Sequence, residues 1–140
     1  MSGERDLARL LASLKPQLHT QHYVYVALGG QYGDFAEYQP LAMVREDEGM
    51  TLVVPQTVAD QHQLIYHAVF ACISLTVHSS LEAVGLTAAV ATALAEHGIS
   101  ANLLAGFYHD HILLPAARAE QAMAVLEKLA QQHALAAPEA

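Results

Sequence analysis

His109, Asp110 and His111 stand together in the middle of an apolar stretch, LLAGFYHDHILLP. Two imidazoles one residue apart, with a carboxylate between them, can ligate a metal, form an acid–base pair, or shape a turn that the aspartate tolerates. The two rings share a face only if a strand continues through Asp110. A metal site also needs a third ligand. His78, at the end of another predicted strand, is the best candidate, with Asp34 and His62 as further ones. None is placed at ligand distance by the sequence, so the favoured reading is a turn or a hydrogen-bonded structural pair. No metal ligand, cofactor or catalytic residue is assigned.

Other residues raise the same question. Cys72, in VFACISLTV, would be a nucleophile if His67 or His78 sat beside it. Strand alternation places it among apolar neighbours, which favours an inert buried thiol. Ser79 and Ser80 fall between a strand and a helix, but the G-x-S-x-G elbow is absent. Ser79 and Glu82 have the spacing of a capping box, in which each side chain satisfies an amide at a helix start.

The same turn is the best place for a small ligand. Ser79 and Ser80 offer hydroxyls there. The backbone around Val84, Gly85 and Leu86 offers N–H groups at a helix start, where the dipole favours a carboxylate. Gly85 allows close approach. Asn102, early in the next strand, can donate and accept, as recognition of an α-amino acid requires.

The elements that must position these groups follow from periodicity. Leu7, Leu10, Leu11 and Leu14 make one helical stripe, and Pro16 stops it. Residues 22–29 read as a strand, 29–40 as a loop, and 41–55 as a hairpin around the turn Glu46-Asp47-Glu48-Gly49. A short helix follows, then a buried strand over 67–78. Residues 86–98 read as a helix closed by Gly98. Two more strands and a helix over 117–132 complete the pattern. The expected core is Leu7, Leu10, Leu11, Val24, Val53, Ile73, Leu75, Val77, Val90, Leu94, Leu103, Met123 and Leu126. Neither half can close a core by itself, so the halves must share a sheet or exchange strands.

Composition bounds the function. Hydrophobic residues make up 54% of the 140, enough for a buried core. Six basic residues stand against fourteen acidic ones, a formal charge of −8. Arg5, Arg9, Lys15, Arg45, Arg118 and Lys128 are scattered, which argues against nucleic acid and an anionic membrane surface as partners. No apolar run reaches the roughly 18–20 residues of a membrane span, and the N-terminus lacks a signal-like apolar region. A lone cysteine builds neither a disulfide nor a Cys-rich zinc site. A cytoplasmic protein is the simplest reading.

The segment VGLTAAVATALAEHGISANLLAG resembles an ACT domain. Gly85 matches the turn glycine, and Glu96-His97-Gly98-Ile99 matches the helix exit. With REDEGMTLVV, the chain is similar to bacterial stand-alone proteins built of two tandem ACT-like units. It departs from the common turn in having SSLEAV before Gly85. The resemblance implies an α+β fold of two ferredoxin-like βαββαβ units, with helices on one face of an antiparallel sheet. The units would be residues 1–66 and 67–135, with a frayed tail over 136–140. It also implies a regulatory module that binds a small molecule, an amino acid, and pairs into a homodimer. The alternatives are a metal-dependent enzyme using the His109–His111 region and an interaction protein without a ligand.

Overall fold

The computed structural model describes residues 7–30, 32–76 and 85–136. Its elements run α1 (Leu7–Ala12), β1 (Pro16–Leu28), a 3₁₀-helix (Tyr32–Tyr38), β2 (Ala42–Glu46), β3 (Gly49–Pro55), α2 (Gln56–Gln61), β4 (Phe70–Leu75), α3 (Leu86–Glu96), β5 (Asn102–Ala105), β6 (Asp110–Pro115), a short 3₁₀-helix (Ala116–Arg118) and α4 (Ala119–Ala136). The 3₁₀-helix over Tyr32–Tyr38 corrects the sequence expectation of a plain loop at 29–40. Phe35 explains it, because it carries an apolar ring into the core from that helix.

The chain divides into two compact units. One comprises residues 20–70. There β1, β3 and β2 pair antiparallel, with Val24 opposite Val54 and Arg45 opposite Met50. Val24, Val26, Met50, Leu52 and Val54 form one face and pack against Phe35 and Ala59. The expected hairpin is present, and Glu46 pairs with Gly49 across the acidic turn.

The other unit comprises residues 1–19 and 71–140. Its strand order is β1-β4-β6-β5, with β1 contributing only its first residues. Leu103 pairs with Ile112 and Ala105 with Asp110 in an antiparallel β5–β6 hairpin. Ala71, Ile73 and Leu75 of β4, with Ile112 and Leu114 of β6, form the face on which the helices pack. Leu10 and Leu11 of α1, Val90 and Leu94 of α3, and Ala122 and Leu126 of α4 complete that core. The compact units therefore differ from consecutive segments divided at 66 and 67: α1 and the first turns of chain after it pack with the C-terminal elements.

Of the expected core, Leu7, Leu103 and Met123 are partly buried against these clusters, and Val77 lies outside the described residues. The other nine are buried. The expected tail over 136–140 falls almost wholly outside the described residues. Among the described residues, no helix is long and apolar enough to cross a membrane.

Candidate functional site

Residues alternate across a strand. Since Ala71, Ile73 and Leu75 face the helices, Cys72 and Ser74 project from the opposite face of β4. In β6, Ile112 and Leu114 face the helices, so His111 projects with Cys72 and Ser74. His19 reaches the same place from β1, which neighbours β4 on its other side.

The Ser74 hydroxyl is the hub. Its Oγ lies 2.6 Å from His19 Nε2 and 2.6 Å from His111 Nδ1. The two imidazoles meet edge to face, with centroids 6.1 Å apart and planes at 88°. A hydroxyl donates one bond and accepts two. With two imidazole partners and one hydroxyl proton, at least one imidazole must donate its N–H to Oγ. One donor atom each from His19, Cys72 and His111 lie within 4.8 Å of one another.

Burial sets the protonation of the cluster. It pushes the Cys72 thiol up to about 11, with the nearby Ser74 hydroxyl opposing the shift. It holds His19 below its ordinary value. His111 is lowered first by burial and then by the nearby charges of His19 and His109, with Asp110 opposing. Asp110 is raised by burial, and His111 opposes that shift. Burial thus favours two neutral imidazoles joined through one hydroxyl, with a neutral thiol beside them.

The His-Asp-His triplet is thus divided between two roles. His109 sits in the β5–β6 turn, where its carbonyl accepts the Gly106 N–H at 3.0 Å. A Cβ on Gly106 would stand 2.6 Å from that carbonyl oxygen, so glycine is required by the close approach. Asp110 opens β6, and His111 enters the Ser74 cluster. Cys72 is buried, as its alternation implied, but its polar neighbours are Ser74 and the two histidines. His78 lies outside the described residues. Asp34 is in the 3₁₀-helix, and His62 caps α2 and packs on Tyr38 at 4.9 Å.

Sequence reasoning missed His19 and Ser74. The signal available for Ser74 was its i, i+2 relation to Cys72 on a strand whose intervening residues are apolar. Nothing local distinguishes His19 from His22.

The expected ligand turn is described in part. Ser79, Ser80 and Val84 lie outside the described residues, as does Glu82. The N-cap of α3 is Gly85, at φ +102°, and among the described residues no side chain caps the helix. The capping box expected of Ser79 and Glu82 therefore lies outside the described residues. The left-handed conformation is open to glycine and strained for other residues. The Leu86 side chain is buried in the core, leaving its backbone amide at the helix opening. Asn102 is exposed at the start of β5, and its amide donates to Leu113 O at 3.5 Å.

Comparison with known proteins gives two adjoining matches. An ACT domain family profile matches residues 2–71, half of the chain, and a second ACT domain profile matches residues 68–128. The chain belongs to the ACT domain family. A Vibrio cholerae protein of unknown function, described as a possible transport protein, is 48% identical over 90% of this chain and 97% of its own, with a TM-score of 0.82. An Agrobacterium tumefaciens protein is 16% identical over 84% of this chain and 89% of its own, with a TM-score of 0.69. The regulatory subunit of aspartate kinase from Thermus thermophilus, in its ligand-free form, is 14% identical over 84% of this chain and 98% of its own, with a TM-score of 0.58. At the last two identities the likeness concerns the ACT fold. No curated protein matches the chain.

Proposed function

We propose that this chain is a regulatory module that binds a small molecule, an amino acid, and acts by self-association or on a partner protein rather than by catalysis. One observation carries the reading: two ACT domain profiles match adjoining stretches that together span residues 2–128. We read the chain accordingly as two consecutive ACT units, 1–66 and 67–135, with α1 and the start of β1 packing among the elements of the second. The fold shared with an aspartate kinase regulatory subunit supports a regulatory role. A homodimer in the cytoplasm is the form in which we expect it to work.

The ligand is assigned to the opening of α3, with Ser79, Ser80, Val84, Gly85, Leu86 and Asn102 as its surround. What supports this is the helix start at Gly85, which no side chain caps among the described residues and whose backbone amides suit a carboxylate. Asn102 supplies a side chain for the polar remainder. The reading as a metal-dependent enzyme has less support, because His109 and His111 serve different parts of the fold.

The test is a melting screen with each common amino acid. A ligand at 100 times its dissociation constant adds roughly 2.7 kcal/mol of stability. Asn102→Ala should weaken the response while the protein stays folded. A response undiminished in that variant would move the ligand away from α3. No response to any amino acid would remove the amino-acid reading. Light scattering of the same samples reads the mass against the 15.0 kDa chain, and a persistent monomer would remove self-association from the proposal.

A further inference from the structure

We infer that His19, Cys72 and His111 form a binding site for a zinc-type transition-metal ion. The inference is independent of the amino-acid reading, since it concerns the sheet face away from the helices and needs no organic ligand.

Three observations carry it. The first is placement. The donors come from β1, β4 and β6, which are consecutive in strand order, with Cys72 on the central one. Neighbouring strands lie about 4.8 Å apart, so side chains on the same face of three adjacent strands converge without any loop having to order. The second is distance. One ligand atom from each residue lies within 4.8 Å of the others. Zinc takes imidazole nitrogen at about 2.0–2.1 Å and thiolate sulfur at about 2.3 Å, so a tetrahedral site spaces its donors by about 3.3–3.6 Å. Side-chain rotation covers the difference.

The third is donor chemistry. One thiolate and two imidazoles suit zinc and its borderline-soft neighbours, and they do not suit magnesium or calcium, which require oxygen cages. Three protein ligands leave a fourth tetrahedral position for water or for the Ser74 hydroxyl. Cys72 binds as thiolate, so its proton leaves to solvent as the ion enters. An imidazole whose ligating nitrogen carries hydrogen must shift to the other tautomer, and Ser74 gives up the corresponding bond. The hydrogen-bonded cluster and the metal complex are then alternative states of the same four side chains.

His109 is the internal control. It neighbours the site in sequence, yet it lies in the exposed turn outside the cluster.

The experiment uses the full chain, stripped of metal with a chelator that is then removed. Zinc is titrated against a competing indicator, and cobalt(II) is added in parallel as a spectroscopic probe. One zinc should bind per chain, with release of a proton. The cobalt complex should show the near-ultraviolet sulfur-to-cobalt charge-transfer band that only a thiolate ligand gives. Cys72→Ala should abolish that band and lower zinc affinity at least 100-fold. His19→Ala and His111→Ala should each lower it at least 10-fold, and His109→Ala should leave it within twofold. Circular dichroism checks that each variant is folded. Absence of the charge-transfer band in the unaltered protein would overturn the inference without reference to any variant. Zinc affinity equal in the unaltered chain and Cys72→Ala would overturn it too, by assigning the binding to surface histidines.

Discussion

The Ser74 hydroxyl lies 2.6 Å from His111 Nδ1, a bond between β4 and β6 on the face opposite the helices. The same oxygen meets His19 at 2.6 Å, so one hydroxyl ties three adjacent strands together through side chains. Removing it takes a hydrogen-bond partner from two partly buried imidazoles. An unsatisfied buried polar group costs about 1–3 kcal/mol. Ser74→Ala should therefore lower the stability of the metal-free protein by about that amount in urea unfolding. A loss under about 0.5 kcal/mol would mean that water replaces the hydroxyl at no cost.

The cluster makes stability depend on pH in a definite direction. His19 and His111 both have folded values below the ordinary 6.5. Below 6.5 the unfolded chain takes up protons that the folded chain does not, so stability falls as pH drops. Stability is full above about 6.5 and declines until the lowered folded values are passed. Asp110, raised from 3.8, opposes this at the acid end of the range. At the alkaline end, the unfolded Cys72 thiol ionises near 9.0 and the folded one near 11, so stability falls again between those values. Urea midpoints of the metal-free chain across pH 4–10 should be highest between the two declines. His111→Asn should flatten the acid decline, and an acid limb unchanged in that variant would assign it to other groups.

Much of the fold was legible because the pattern was periodic. The leucine stripe of α1, the hairpin around Glu46–Gly49 and the α3 exit at Gly98 each have a local cause, and local causes are written in adjacent residues. The cluster was not legible for the same reason. His19, Cys72, Ser74 and His111 are brought together by strand order, and no spacing in the sequence encodes which strands become neighbours. Reading Cys72 as an inert core thiol was sound about its burial and silent about its company. His109 and His111 show the converse. Their nearness in sequence suggested one site, but a turn separates their roles.

Leu94 tests the helix face. It is fully buried among Leu10, Val90, Ile112 and Leu126 and their neighbours, where partial collapse leaves a void. Leu94→Ala should cost about 2–5 kcal/mol. A cost below about 0.5 kcal/mol in chemical denaturation would show that α3 does not pack in this register.

The exit of α3 offers a sharper test, because backbone and side-chain contributions separate there. Gly98 sits at φ +70°, its N–H donating to Ala95 O at 2.9 Å while Ile99 N–H donates to Leu94 O at 3.0 Å. That pair of bonds is the Schellman arrangement, and it brings Ile99 back onto the core. The Arg118 guanidinium adds two bonds, to His97 O at 2.9 Å and Gly98 O at 3.2 Å, placing a cation at the negative end of the helix dipole. A Cβ at position 98 would meet no atom within 4 Å, so Gly98→Ala carries no clash and isolates the conformational term. The left-handed region costs an L-residue about 1–2 kcal/mol. Gly98→Ala should lose that much, and Gly98→Asn less, since asparagine tolerates the region. Arg118→Ala should cost about 1 kcal/mol, partly screened by solvent. Its effect should shrink in high salt, whereas that of Gly98→Ala should not. Equal salt dependence of the two losses would mean that the turn is held by charge rather than by backbone geometry.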